Sequence, residues 1–203
     1  KPGIAFVPTG EAGDGVVTAL AERIGAAAPS VLLNRKIATS FGEIRERLLA
    51  AGAEPLAAGQ DAEGDGFTVP ATVLQTTADE LDADLAEECF GPLVVVARYD
   101  AASEIDGALR RIPASLTTTI HLEDGDRAFY EDLAPAMTAT SGRVVFNGFP
   151  TGVRVSWAQQ HGGPWPATNT QHTSVGVTAV RRFLRPVAFQ NAPEWALPAG
   201  LRD

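Results

Sequence analysis

Short β-branched runs alternate along this chain with apolar residues at helical spacing. That is the pattern that βαβ units around a largely parallel sheet leave in a sequence. The runs fall at 4–7, 67–74, 93–97, 116–122, 144–147 and 187–189. Between them, Val17, Leu20, Ala21 and Ile24 recur at the period of a helix. Phe41, Ile44, Leu48 and Ala51 form a second stripe, opened by Ser40 with Glu43 three residues on and closed by Gly52. Ile105, Ala108, Leu109 and Ile112 make a third, stopped by Pro113. Asp124 is placed to cap a helix carrying Phe129 and Leu133, and Ser174 one running through Val180 and Phe183 until Pro186. The expected fold is α/β, three layers with helices flanking a largely parallel sheet.

With 45% hydrophobic residues in 203, the chain can bury the core of one domain, or of one domain and a small appendage. A formal net charge of -9 lacks the basic patch that nucleic acid or an anionic membrane would need, so neither is an expected partner. The one cysteine, Cys89, cannot form an internal disulfide, which fits a reducing cytoplasm. No apolar run approaches the ~20 residues of a membrane span. The opening Lys1-Pro2-Gly3 reads as a point within a longer polypeptide.

Two stretches carry no period. Residues 59–66 form a Gly- and Asp-rich turn region, whereas 148–173 is too long for a connector and holds Trp157, His161 and Trp165, which marks it as a place to look for a site. Within it, His161-Gly162-Gly163-Pro164-Trp165 reads either as a pocket wall or as a rigid loop packed by Trp165. Glu87-Glu88-Cys89-Phe90-Gly91-Pro92 opens a buried strand. It reads either as a carboxylate that hydrogen-bonds a sugar diol beside an aromatic packed on a flat ring, or as a helix end with a solvated acidic pair and a core Phe. Cys89 is read as structural, because the neighbouring carboxylates disfavour a thiolate. His121, His161 and His172 lack metal-ligand spacing, and no metal is expected. A triad of Ser156, His161 and an Asp lacks the Gly-x-Ser-x-Gly elbow. Arg181, Arg182 and Arg185 fit either an anion anchor or a solvated helix end.

The Glu87–Pro92 turn, the run from Gly142 through Asn147-Gly148-Phe149-Pro150-Thr151-Gly152, and His161-Gly162-Gly163-Pro164 together resemble the aldehyde dehydrogenase superfamily. The resemblance runs end to end and corresponds to the C-terminal part of that family's catalytic domain, with residues 1–185 in the domain and 186–203 as an oligomerisation strand and tail. Asn147 to Val153, His161 to Thr168 and Thr173-Ser174-Val175-Gly176 are most similar to the NADP-linked branch acting on 2-oxoglutarate semialdehyde, also called 2,5-dioxovalerate. A fatty-aldehyde branch shares much of that wording.

The resemblance implies oxidation of a small aldehyde to a carboxylic acid with NADP or NAD. It also implies that the nucleophilic cysteine, the general base and the cofactor domain lie upstream, so no catalytic residue is assigned in this chain and the chain alone is expected to be inactive. Glu88 corresponds to the acidic residue that hydrogen-bonds the nicotinamide ribose, and Phe90 to the aromatic beside the nicotinamide. Asn147, Phe149, Thr151, Gly152 and Val153 fall where the family lines its aldehyde tunnel, and His161 to Trp165 take the position of a Phe-Gly-Gly turn, with His161 assigned to the substrate. Arg154 stands where an acidic residue is usual in this branch and Trp157 where a small residue or Pro is common; Arg154 is placed either to reshape the tunnel mouth or to bind a substrate carboxylate. Residues 186–189 resemble the edge strand through which family members form homo-oligomers. The rival reading is a non-enzymatic assembly or ligand-binding module of the same fold.

Overall fold

The computed structural model describes residues 2–61, 66–150, 152 and 154–202. Four strands form the main sheet in the order β1-β6-β5-β3: β1 (Ile4–Pro8), β6 (Leu93–Tyr99), β5 (Thr72–Thr77) and β3 (Glu54–Ala58). β1, β6 and β5 are parallel, whereas β3 joins antiparallel at the edge. Two smaller sheets pair β2 (Ser30–Val31) with β4 (Thr68–Val69), antiparallel, and β7 (Thr118–Ile120) with β8 (Val144–Phe146), parallel.

The two faces of the main sheet are read off its alternating side chains. Val7, Val73 and Val96 point to one face, where Val17, Leu20 and Ile24 of α1 (Glu11–Gly25) cover them. Leu74, Val95 and Ala97 point to the other, against Phe41, Ile44 and Leu48 of α2 (Arg35–Ala50). α3 (Ala102–Arg111) and α4 (Arg127–Thr140) pack on each other and extend that second layer, with Ile105, Leu109, Leu133 and Met137 meeting Phe6, Tyr99 and Val144. The three-layer α/β architecture expected from the pattern is present. Arg98 ties the end of β1 to α1, donating to the Pro8 carbonyl at 2.9 Å and pairing with Asp14 at 2.6 Å.

Several boundaries differ from the pattern for identifiable reasons. α2 starts at Arg35 rather than after Ser40, because Asn34 takes an extended conformation and its Oδ1 accepts the Ile37 N–H at 3.0 Å. Its end is as expected: Gly52 at φ 108° lets the Gly52 N–H reach the Leu49 carbonyl and the Ala53 N–H the Leu48 carbonyl. The run at 67–74 is split by Pro70, so that Thr68–Val69 pairs with β2 while Thr72–Thr77 enters the main sheet. β3 carries Pro55 and no β-branched residue, and is tolerated as an edge strand with a register shift between Pro55 and Ala57. α4 begins after Asp126, not Asp124.

The C-terminal part departs further. The helix expected from Ser174 to Pro186 is only a 3-10 turn, Ala179–Phe183, with none of its residues buried. Without an apolar surface to cover, a helix of that length has little to hold it. Residues 187–189 are irregular and exposed rather than a strand, since among the described residues nothing pairs with them. Among the described residues no helix is long and apolar enough to cross a membrane.

Candidate functional site

Glu87 and Glu88 are adjacent but face different surroundings. Arg47, on the last turn of α2, holds Glu87 with both arms of its guanidinium, Nε to Oε2 at 2.8 Å and Nη2 to Oε1 at 2.6 Å. That fork keeps the Glu87 carboxyl below the usual carboxylate range, burial opposing it only in part. Glu88 is exposed and has no hydrogen-bond or ion-pair partner among the described residues. Cys89 turns inward, 3% exposed, its thiol 3.9 Å from the Phe41 carbonyl oxygen. Phe90 turns out again and is 65% exposed, which overturns its reading as a core residue. Gly91 closes the turn flat against the Phe41 ring, where a Cβ would overlap the ring. The turn therefore buries the thiol as the sequence suggested and presents a carboxylate and an aromatic outward, two residues apart.

These residues form one rim of an open groove of about 1870 Å3. Much of its lining is apolar, Phe6, Leu109, Leu133 and Met137 among it, and the lining also includes His121, Phe149 and His161. His121 and Phe149 meet as a tilted ring pair 5.9 Å apart, which steadies an otherwise exposed Phe149. Asn147, at φ 48°, places its amide across the end of β7: Oδ1 accepts the Leu122 N–H at 2.7 Å and Nδ2 donates to the Leu122 carbonyl at 2.9 Å. Its side chain thus fastens β8 to β7 just before Phe149. Gly152 is exposed, and Thr151 and Val153 lie outside the described residues. Arg154 and Trp157 are both exposed.

The His161 turn is held by close backbone approach rather than by Trp165, which is 77% exposed. A Cβ on Gly163 would come within 2.6 Å of the Ser115 carbonyl, and one on Gly142 would overlap the Gly162 carbonyl. Two threonines complete the anchorage: Thr173 Oγ1 accepts the His161 N–H at 3.0 Å, and Thr168 Oγ1 donates to the Gly163 carbonyl at 2.6 Å. The turn is a groove wall, with His161, Pro166 and Ala167 on its lining. Sequence reading missed Arg47, which is remote from Glu87 in the chain, and, although Thr168 and Thr173 stand in the matched motifs, it missed their part in anchoring the turn. Arg181, Arg182 and Arg185 lie in the C-terminal segment with no ion pair among the described residues. No cluster of three His, Cys, Asp or Glu fit to hold a metal ion occurs among the described residues.

The model of the aldehyde dehydrogenase family matches residues 27–173. Over its whole length the chain is 36% identical to an alpha-ketoglutaric semialdehyde dehydrogenase of Acinetobacter baylyi and 34% identical to alpha-ketoglutaric semialdehyde dehydrogenase 2 of Azospirillum brasilense, covering 39% of each. Among solved structures, proline utilization A of Bdellovibrio bacteriovorus superposes with a TM-score of 0.72 at 20% identity, over 91% of this chain and 19% of that one. The chain therefore spans well under half the length of the curated relatives it matches. Because the family model matches most of its length, the chain belongs to the aldehyde dehydrogenase family.

Proposed function

We propose that these 203 residues are the substrate-side part of a longer NAD(P)-dependent aldehyde dehydrogenase that oxidises 2-oxoglutarate semialdehyde to the dicarboxylic acid. The observation that carries the reading is the outward pair Glu88 and Phe90 on the groove rim, with the competing carboxylate Glu87 already committed to Arg47. An unpartnered carboxylate suits the two hydroxyls of a ribose, and an exposed aromatic suits the flat nicotinamide ring. When bound, the cofactor accepts the hydride from the carbonyl carbon. Glu88 orients the ribose, Phe90 limits where the ring lies, and Phe149 and His161 shape the side from which the aldehyde enters. Asn147 acts by fixing the segment that carries Phe149.

The substrate assignment draws on the two curated relatives, which carry the name of that activity. Arg154 supports it, since an exposed guanidinium with no ion pair among the described residues offers a cation to an aldehyde that bears a carboxylate. Cys89 is too buried to serve as nucleophile, so the thiol that attacks the aldehyde comes from the rest of the longer enzyme. The exposed segment 186–189 pairs with a second subunit, and the enzyme works in the cytoplasm.

The test is reduction of NADP+ and NAD+ by the longer enzyme with 2-oxoglutarate semialdehyde and, in parallel, a long-chain alkyl aldehyde. Turnover favouring the semialdehyde, with none from the 203-residue chain alone, is expected. Preference for the alkyl aldehyde would move the enzyme to fatty substrates, and silence with both would favour a non-enzymatic module.

A further inference from the structure

The functional reading above gives His121 no role, yet the fold fixes this residue closely. Ile120 and Leu122 on either side of it both pack among Leu109, Leu133 and Met137. By alternation along the chain, the His121 side chain leaves on the other face of the β7–β8 pair. Asn147 clamps the backbone on both flanks. Its N–H donates to the Ile120 carbonyl at 2.9 Å, its Oδ1 accepts the Leu122 N–H at 2.7 Å, and its Nδ2 donates to the Leu122 carbonyl at 2.9 Å. His121 thus sits between three hydrogen bonds made by one residue.

The same asparagine leads into the segment that carries Phe149, with Gly148 alone between them. The rings of His121 and Phe149 lie 5.9 Å apart with their planes at 57°, a separation and tilt that aromatic pairs favour. Both residues line the groove.

Two further facts narrow what His121 contributes. Its side chain is exposed and makes no hydrogen bond or ion pair among the described residues, so neither a charge network nor the core depends on it. Phe149, 71% exposed, has no other ring contact among the described residues. A flat ring set against Phe149 is therefore what His121 brings to the groove.

We propose that His121 is a positioning residue for the aldehyde, acting through Phe149: it holds that ring at one place on the groove lining, where the ring limits the approach of the substrate's carbon chain. The inference rests on the reading in which the aldehyde enters past Phe149, and it names the residue that sets where Phe149 stands. Asn147 fixes both partners at once, since it clamps the strand end that bears His121 and opens the segment that bears Phe149. The role belongs to a ring at this position and not to the imidazole nitrogens.

Steady-state kinetics of the longer enzyme with 2-oxoglutarate semialdehyde test it. His121→Ala should raise the aldehyde KM by about 3- to 10-fold, the range that a ring pair of this kind supports, while kcat changes by no more than about 2-fold. Phe149→Ala should raise the same KM, and the double variant should do no more than Phe149→Ala alone, because His121 acts only through that ring. His121→Phe, which keeps a flat ring, should recover most of the loss. An unaltered KM in His121→Ala would overturn the inference. Effects that multiply in the double variant would overturn it too, by showing that His121 acts apart from Phe149, and a loss in His121→Phe as large as in His121→Ala would do so by giving the role to the imidazole nitrogens. If the longer enzyme prefers another aldehyde, the same variants are compared on that one, so a wrong substrate assignment and a wrong role for His121 give different results. An enzyme silent with every aldehyde would overturn the functional reading and the positioning role with it.

Discussion

Gly142 lies directly against the carbonyl of Gly162, so that a Cβ on Gly142 would overlap it. This contact joins the segment just before β8 to the turn that presents His161, which lines the groove. Gly142→Ala must push that turn away, and overpacking of this kind typically costs about 1–3 kcal/mol. Gly15 on α1 is the control: nothing lies within 4 Å of a Cβ there, and Gly15→Ala should stabilise by about 0.5–1 kcal/mol. Urea unfolding of the two variants checks both signs.

The Arg47–Glu87 fork makes stability depend on pH in a defined direction. Glu87 has a carboxyl pKa lowered in the fold, so the fork contributes fully above the ordinary carboxylate range and is lost as pH falls through the lowered value. Arg47→Met should therefore be less stable than the parent at pH 7, and the difference should shrink at pH 3. A difference that is the same at both pH values would mean that Arg47 acts through packing of its stem instead.

Leu48 is 0% exposed and sits between α2 and the sheet, in contact with the core of the turn that carries Cys89. Leu48→Ala should cost about 2–5 kcal/mol in urea unfolding. Phe183, 81% exposed, offers the contrast: Phe183→Ala in the chain alone should change stability by no more than about 0.5 kcal/mol.

The parts of the fold legible in the sequence are those set by local periodicity and short-range chemistry. Val95 to Ala97 reads as a buried strand, the Phe41, Ile44 and Leu48 stripe reads as a helix face, and Gly52 ends that helix as a glycine in this position does. Asn34 was not legible as the start of α2, because Ser40 and Glu43 make an equally good local cap and only the extended backbone at Asn34 decides between them. β3 escaped because Pro55 and its alanines carry no strand signal; its place comes from pairing with β5. Residues 187–189 have strand chemistry, yet a strand needs a neighbour and this chain supplies none among its described residues.

At the candidate site, the residues of the Glu87–Gly91 turn and the burial of Cys89 were legible, but which glutamate is free and where Phe90 points were not. Which of two adjacent glutamates is bound depends on Arg47, forty positions away in the chain, and the inward turn of Cys89 follows from the space beside Phe41. Phe90 looks like a core residue by composition and is outward by geometry.

That distinction between neighbours yields the most direct test of the account, measured in the longer enzyme as KM for the nicotinamide cofactor. Glu88→Gln should raise that KM by about 10-fold or more, the loss of charge-assisted hydrogen bonds to a diol being worth about 1.5–3 kcal/mol. Glu87→Gln should lower stability and leave the cofactor KM within about 2-fold of the parent, its effect being confined to the fork with Arg47. A raised cofactor KM in Glu87→Gln together with an unchanged one in Glu88→Gln would contradict the assignment of the outward carboxylate to the cofactor.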